Sequence, residues 1–248
     1  MNHTLQHKVA VITGGNSGIG LAAAKELVAR EATVLITGRR KEAVYKAAAE
    51  TGTIPFIADQ ASLEDIEKLK EELQERFGKI DILFINAGIT GGFASIADVS
   101  VENFDSVMNI NFRGAYFTLS KLIPLLSDGA SVVILSSIVA ATYHPNSSVY
   151  QASKAALNSI AKTAAAELAS RNIRVNIISP GPHKTEVMKK AGLDATTLEQ
   201  INDQLVNSIP LKKMGDPADI AKLVAYLSGP EAGFITGSEI IVDGGMML

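Results

Sequence analysis

Tyr150 and Lys154 lie four residues apart in the stretch SVYQASKAALNSI, residues 148–160, which is mostly small and apolar. On a helix, positions i and i+4 share one face, so the phenol and the ammonium point the same way. A phenol with its ordinary pKa of about 10 is a poor proton shuttle at neutral pH. Bringing it to about 7 requires about three units, or roughly 4 kcal/mol. One ammonium about 4 Å away, at an effective dielectric of about 20, supplies roughly that much attraction for the phenolate. The pair can therefore exchange a proton with a substrate oxygen, provided the fold brings a second reactant to it. The competing reading is a tyrosine and a lysine that merely share a helix face.

A second chemical signal lies near the start of the chain. VITGGNSGIG, residues 11–20, follows an apolar run and opens an amphipathic one. Gly14, Gly18 and Gly20 fall where a chain must turn tightly, approach a ligand closely and pack helix on strand. The helix that follows would aim free N–H groups and a positive dipole at the opening, which suits a pyrophosphate. A glycine triplet alone is weak evidence, and the strand-before, helix-after context is what strengthens it. The alternative is a purely structural glycine turn.

These residues need a scaffold, and the hydropathy pattern provides one. Apolar runs at 8–12, 32–37, 53–57, 80–85, 131–137, 173–179 and 238–243 read as strands. They are nearly continuous rather than alternating, as for strands covered on both faces. Helical segments are expected at 18–29, 41–50, 62–77, 101–125, 147–170 and 217–228, with Ser62 as a cap and acids in the turn behind it. The β-α-β order implies a doubly wound parallel α/β sheet. No repeat or linker interrupts residues 1–248, so one domain is expected. From Pro180 to Pro217 the rhythm breaks, with helical patches near 184–192 and 197–207. This excursion, about 182–215, follows a strand's carboxyl end, where such sheets bind ligands, and is the candidate substrate lid.

Composition narrows the classes. The chain has 248 residues, a formal net charge of −3 and no cysteine. Disulfides, thiolate zinc sites and cysteine nucleophiles are excluded. The charge gives no reason to expect nucleic acid or an anionic membrane. MNHTLQHK has no apolar signal region and no run is long enough to span a bilayer, so a cytoplasmic location is expected. His3, His7, His144 and His183 show no metal-ligand spacing.

Taken together, TGGNSGIG (13–20), Asp59, NAG (86–88), Asn111, Ser137, YQASK (150–154), SPGP (179–182) and VDGG (242–245) resemble the short-chain dehydrogenase/reductase family in order and spacing, over nearly the whole chain. The resemblance implies a Rossmann-type seven-stranded sheet in the order 3-2-1-4-5-6-7. It implies a hydride transfer between a nicotinamide and a carbonyl/alcohol pair. Tyr150 would be the acid/base and Lys154 would lower its pKa and bond the nicotinamide ribose. Ser137 would hold the substrate oxygen, stabilising the alkoxide-like charge, and Asn111 would hold a relay water. A polar residue satisfying a helix kink is compatible with that last role.

The resemblance also assigns cofactor contacts. Gly14, Asn16, Ser17, Gly18, Ile19 and Gly20 would surround the phosphates, Asp59 and Gln60 the adenine, and Asn86, Ala87 and Gly88 the adenosine ribose. Pro180, Gly181, His183 and Thr185 would meet the nicotinamide. About twenty positions past the glycines, where an acid would hold a ribose 2′-hydroxyl, the chain has Gly38, followed by Arg39 and Arg40. Two guanidiniums suit a 2′-phosphate, so NADP(H) is expected over NAD(H), which remains possible. Otherwise the two arginines simply solvate the next helix.

Tyr143 and His144 are candidates to line the substrate pocket with Phe93 and residues 182–188. The chain departs from the family at His183, usually aliphatic, which brings a titratable group toward the substrate, and at Ile85, often asparagine. The resemblance implies a small-molecule carbonyl or alcohol substrate and a homodimer built on 101–125 and 147–170, which SEIIVDGG (238–245) helps extend to a homotetramer. The rivals are an epimerase or dehydratase of related fold, and a catalytically silent dinucleotide sensor. A sensor would be expected to lack Tyr150 or Lys154.

Overall fold

Every central strand feeds two cores, which is why its sequence is apolar without alternating. The computed structural model of the protein describes residues 5–184 and 195–248. Strands β1 (Val9–Ile12), β2 (Thr33–Gly38), β3 (Ile54–Ile57), β4 (Ile80–Ile85), β5 (Leu126–Leu135), β6 (Arg174–Pro180) and β7 (Glu239–Val242) form one sheet in the order β3-β2-β1-β4-β5-β6-β7. All six pairings are parallel.

Val11, Leu35, Leu83, Val132, Ile134 and Ile177 point to one face. There they pack against Leu69 and Leu73 of α3 (Leu63–Phe77), Leu119 and Leu122 of α5 (Ala115–Leu122) and Leu157, Ala161 and Leu168 of α6 (Ser148–Leu168). Their neighbours Ala10, Ile12, Ile36, Phe84, Val133 and Ile178 point to the other face. These meet Leu27 of α1 (Gly18–Ala29), Val44 of α2 (Lys41–Thr51) and Ile220 and Val224 of α8 (Pro217–Ser228). Period-two alternation thus sorts residues between two helix layers, not between core and water.

The strand order reverses between β1 and β4, opening a crevice at their carboxyl ends. Local chemistry fixes the helices that frame it. Ser62 caps α3 by accepting from the Asp65 N–H at 3.1 Å. Asp216 and Asp219 form a reciprocal capping box at the start of α8, with Pro217 at its first position. Among the described residues no helix is long and apolar enough to cross a membrane.

Three boundaries differ from the sequence reading. β5 ends at Leu135, so Ser137 stands beyond the strand as the cap of a 3-10 turn, Ile138–Ala141. The expected helix 101–125 divides into α4 (Val101–Met108), a π turn (Asn109–Gly114), α5 and a 3-10 turn. Of the excursion, α7 (Ala195–Ser208) covers the expected 197–207 helix, whereas the 184–192 patch lies almost wholly outside the described residues.

Candidate active site

The carboxyl ends of β1 and β4 are laced together by two side chains. Buried Thr13 accepts from the Asn86 and Ala87 N–H groups at 3.0 and 3.1 Å through Oγ1. Asn86 Nδ2 donates to the Thr13 and Gly14 carbonyls at 2.8 and 3.1 Å. The glycine loop between them has no spare volume. A Cβ on Gly20 would stand 2.4 Å from the Gly14 oxygen, and one on Gly15 would stand 2.6 Å from Ile36. Gly14 has φ +66, open to glycine with little strain.

Ser17 precedes α1 without making a side-chain cap, and the first turn carries no acid. The N–H groups there are thus left to meet an anion. Gly38 lies against Asn16, whose Oδ1 would be 2.6 Å from an added Cβ. The position searched for an acid is therefore pressed against the glycine loop. Arg39 and Arg40 follow at the surface, and neither guanidinium has an ion pair among the described residues. Asp59 Oδ1 accepts from the Ala61 N–H at 2.9 Å. Gln60 buries its Nε2 without a partner among the described residues, and its backbone passes so close to Gly114 that a Cβ there would clash with the Gln60 oxygen. A narrow glycine cradle, an uncapped helix start and two surface guanidiniums fit a nicotinamide dinucleotide.

At the other end of the crevice, the sequence pair converges with a third group. Lys154 is 4% exposed, and its Nζ donates to the Leu135 carbonyl at 2.8 Å. It lies 5.9 Å from the centroid of the Tyr150 ring, and the Ser137 side chain is near enough to the Tyr150 hydroxyl to draw its pKa down. A Cβ on Gly88 would be 3.5 Å from Lys154 Nζ, so the β4 end and the ammonium are also adjacent.

The electrostatics differ from the sequence expectation of a phenol lowered by its lysine. Burial pushes the Tyr150 hydroxyl above its ordinary range, opposed in part by the Ser137 hydrogen bond. Burial also depresses Lys154, to about 8. Both shifts have one cause: desolvation disfavours whichever form is charged.

Asn111 sits fully buried in the π turn. Its Oδ1 accepts from the Ile89 N–H at 2.8 Å, and its Nδ2 donates to the Ile89 carbonyl at 2.8 Å and to Ser153 Oγ at 3.1 Å. Ser153 in turn donates to the Tyr150 carbonyl at 2.7 Å. The Asn111 amide thus braces the loop after β4 against the helix that carries the tyrosine. A π turn also releases backbone carbonyls from the usual helical ladder.

Tyr143 and His144 leave the 3-10 turn after Ser137. Gln151, next to Tyr150, holds their loop by accepting from the His144 N–H at 3.2 Å and donating to its carbonyl at 2.8 Å. Asn103 similarly pins Gly92, and Ala94 N–H donates to the Asn146 carbonyl at 2.9 Å. Thr13, Asn103, Gln151 and Ser153 carry this architecture and were not singled out from sequence. Gln151 and Ser153 stood inside the motif YQASK, and only their hydrogen-bonding capacity beside the tyrosine could have marked them.

After β6, Gly181 packs on Asp243, with an added Cβ only 2.7 Å from the Asp243 side chain. The His183 imidazole does not turn toward the tyrosine. It is buried, with Nδ1 2.9 Å from the Gly181 carbonyl and the ring laid over Gly215. It lines a separate pocket of about 170 Å³ with Pro182, Lys213, Asp219 and Asp243. Thr185 lies outside the described residues, as does Met188. Among the described residues, no group of three or more His, Asp or Glu side chains is placed to hold a metal ion.

Known proteins resemble the chain in sequence and fold. A family model described as enoyl-(acyl carrier protein) reductase matches residues 14–247. The chain is 36% identical to the oxidoreductase asL5 of Sarocladium schorii over 246 residues, covering 98% of this chain and 96% of that one. It is 36% identical to the human dehydrogenase/reductase SDR family member 4, covering 97% and 88% of the two chains. A dehydrogenase/reductase from Sinorhizobium meliloti superposes with a TM-score of 0.90 at 33% identity, covering 100% and 98%.

Proposed function

The chain belongs to the short-chain dehydrogenase/reductase family, an NAD(P)-dependent oxidoreductase acting on CH–OH/C=O groups, and from that premise we propose that it is an NADP(H)-dependent carbonyl reductase with Tyr150 as general acid/base. The observation that carries the reading is the convergence of three groups past the end of β5. Buried Lys154 is fixed on the Leu135 carbonyl beside the Tyr150 ring, and the Ser137 side chain is near enough to the Tyr150 hydroxyl to draw its pKa down.

In this reading the bound nicotinamide supplies or accepts the hydride. Ser137 holds the substrate oxygen where negative charge grows. Tyr150 gives it a proton, or takes one in the reverse direction. Lys154 stabilises the phenolate and bonds the nicotinamide ribose. The Asn111 amide is engaged with Ile89 and Ser153, so a relay water would rest on a main-chain carbonyl of the π turn. Arg39 and Arg40 would pair with a 2′-phosphate, Asp59 and Gln60 would frame the adenine, and Thr185 would bond the carboxamide.

One dinucleotide-binding domain, residues 1–248, would carry all these roles in the cytoplasm. Exposed Val101, Phe104 and Tyr116 on α4 and α5 support self-association as a homodimer or homotetramer. The test is loss of reduced-nicotinamide absorbance with NADPH or NADH across a panel of ketones and aldehydes. Binding of the dinucleotide with no oxidation by any carbonyl would favour the silent sensor instead.

A further inference from the structure

Three large apolar side chains stand in water on the two loops whose neighbouring residues line a depression with Tyr150. Phe93 is 66% exposed, Ile96 81% and Tyr143 94%. Isolated exposed apolar residues need no explanation, but several together on pinned loops beside a reactive group mark a surface that another apolar body covers.

Hydrogen bonds pin the backbone of the loops that carry them. Asn103 grips the Gly92 backbone from both sides, at 2.7 and 3.1 Å. The Ala94 N–H is tied to Asn146 at 2.9 Å, which joins the loop bearing Phe93 to the loop bearing Tyr143. Gln151 clamps the His144 backbone to the first turn of α6, one residue from Tyr150. Residues from both loops and Tyr150 itself line a single depression, including Thr90, Ala94, Val99 and Asn146. The side chains are thus presented on a backbone that is already organised.

Charge is as telling as exposure. The two loop segments, NAGITGGFASIA (86–97) and SIVAATYHPNSSV (137–149), contain no lysine, arginine or carboxylate, and His144 is their one ionisable side chain besides Tyr143. Nothing in them would replace the hydration of a phosphate or carboxylate carried into the mouth.

We infer that the substrate is an uncharged carbonyl compound with an apolar, aryl or alkyl, far end, seated against Phe93, Ile96 and Tyr143. This rests on the reductase reading of the same site and narrows it. It sets the chain apart from a reductase of substrates that present a phosphate or carboxylate at the mouth.

Methyl 4-acetylbenzoate and 4-acetylbenzoate test it, because they share one ketone and differ in charge only at the distant end. With either reduced dinucleotide, kcat/KM for the ester should exceed that for the acid by about tenfold or more. Phe93→Ser and Tyr143→Ser should each raise KM for the ester about tenfold, with a much smaller change in kcat and an unchanged KM for the dinucleotide. Equal or better use of the acid would overturn the inference while leaving the reductase reading intact. So would a loss of assembled mass in light scattering with either variant, which would assign the patch to a second copy of the chain. Failure of every ketone in the panel, with dinucleotide still bound, would remove the reductase reading and this inference with it.

Discussion

Lys154 is held by the sheet: its ammonium donates to the main-chain carbonyl of Leu135, the last residue of β5, at 2.8 Å. Among the described residues no carboxylate shares the site with it, and burial depresses its pKa to about 8. A carbonyl offers partial compensation for lost water and no counter-charge. The cation keeps two further N–H donors for a ribose and a relay water, and it is stored at a cost in stability.

That cost has a pH signature. Below about 8 the amine is protonated in both folded and unfolded chains, and this group adds no pH dependence. Between about 8 and 10.5 the unfolded chain keeps a proton that the folded chain has released, so stability rises with pH through that window. A fall from 10.5 to about 8 corresponds to about 3 kcal/mol in full. Lys154→Met should abolish the rise. Urea denaturation of both proteins at about pH 7 and about pH 10 should show the wild type gaining on the variant at the higher pH. A constant difference would show that the amine is not desolvated.

Tyr150→Phe removes one oxygen from a ring that stays packed. Turnover should fall by about 10²–10⁴, because the Ser137 hydroxyl remains but has no proton donor beside it. Dinucleotide affinity and melting temperature should change little. Retention of more than a tenth of the rate, roughly 1.4 kcal/mol of barrier, would refute the acid/base role.

The fold was legible because two helix layers demand continuously apolar strands, and a glycine loop demands a strand before and a helix after. The pairing of Tyr150 with Lys154 was legible because it lies within one helix. Ser137 was legible by resemblance, although β5 stops two residues short of it. What the sequence concealed depends on contacts far apart in the chain. Asn111 braces Ile89 and Ser153, residues 22 and 42 positions away. Its π turn leaves no mark in helix periodicity over 101–125. The direction of the Tyr150 shift was hidden for a similar reason, since desolvation is set by the surrounding layers and not by the i, i+4 neighbour.

Cofactor preference should turn on Arg39. The side chain is exposed and has no ion pair among the described residues, so Arg39→Ala breaks no ion pair there. A lost charge-assisted bond of about 1.5–3 kcal/mol corresponds to about a ten- to hundredfold rise in KM for NADPH. KM for NADH should move less than about threefold. Equal effects on both dinucleotides would remove the 2′-phosphate from the argument.

The root of the excursion offers the last prediction. Gly215 N–H donates to the Pro182 carbonyl at 3.0 Å, Lys184 N–H donates to the Gly215 carbonyl at 2.9 Å, and the His183 ring covers the space between. A Cβ on Gly215 would stand 2.5 Å from His183 Nε2 and 2.6 Å from Cδ2, so Gly215→Ala must displace the imidazole and disturb its contact with the Gly181 carbonyl. The single change should cost about 1–3 kcal/mol. His183→Ala alone should also destabilise, by leaving a cavity beside Gly215. Combined, the two should cost less than their sum, because the alanine methyl then fills the space the ring has left. The same cycle measured on KM for the dinucleotide should show coupling in the same direction, since the ring positions the backbone from Pro182 to Lys184. Additivity within about 0.5 kcal/mol in both measurements would refute the packing of His183 on Gly215 as the clasp of this loop.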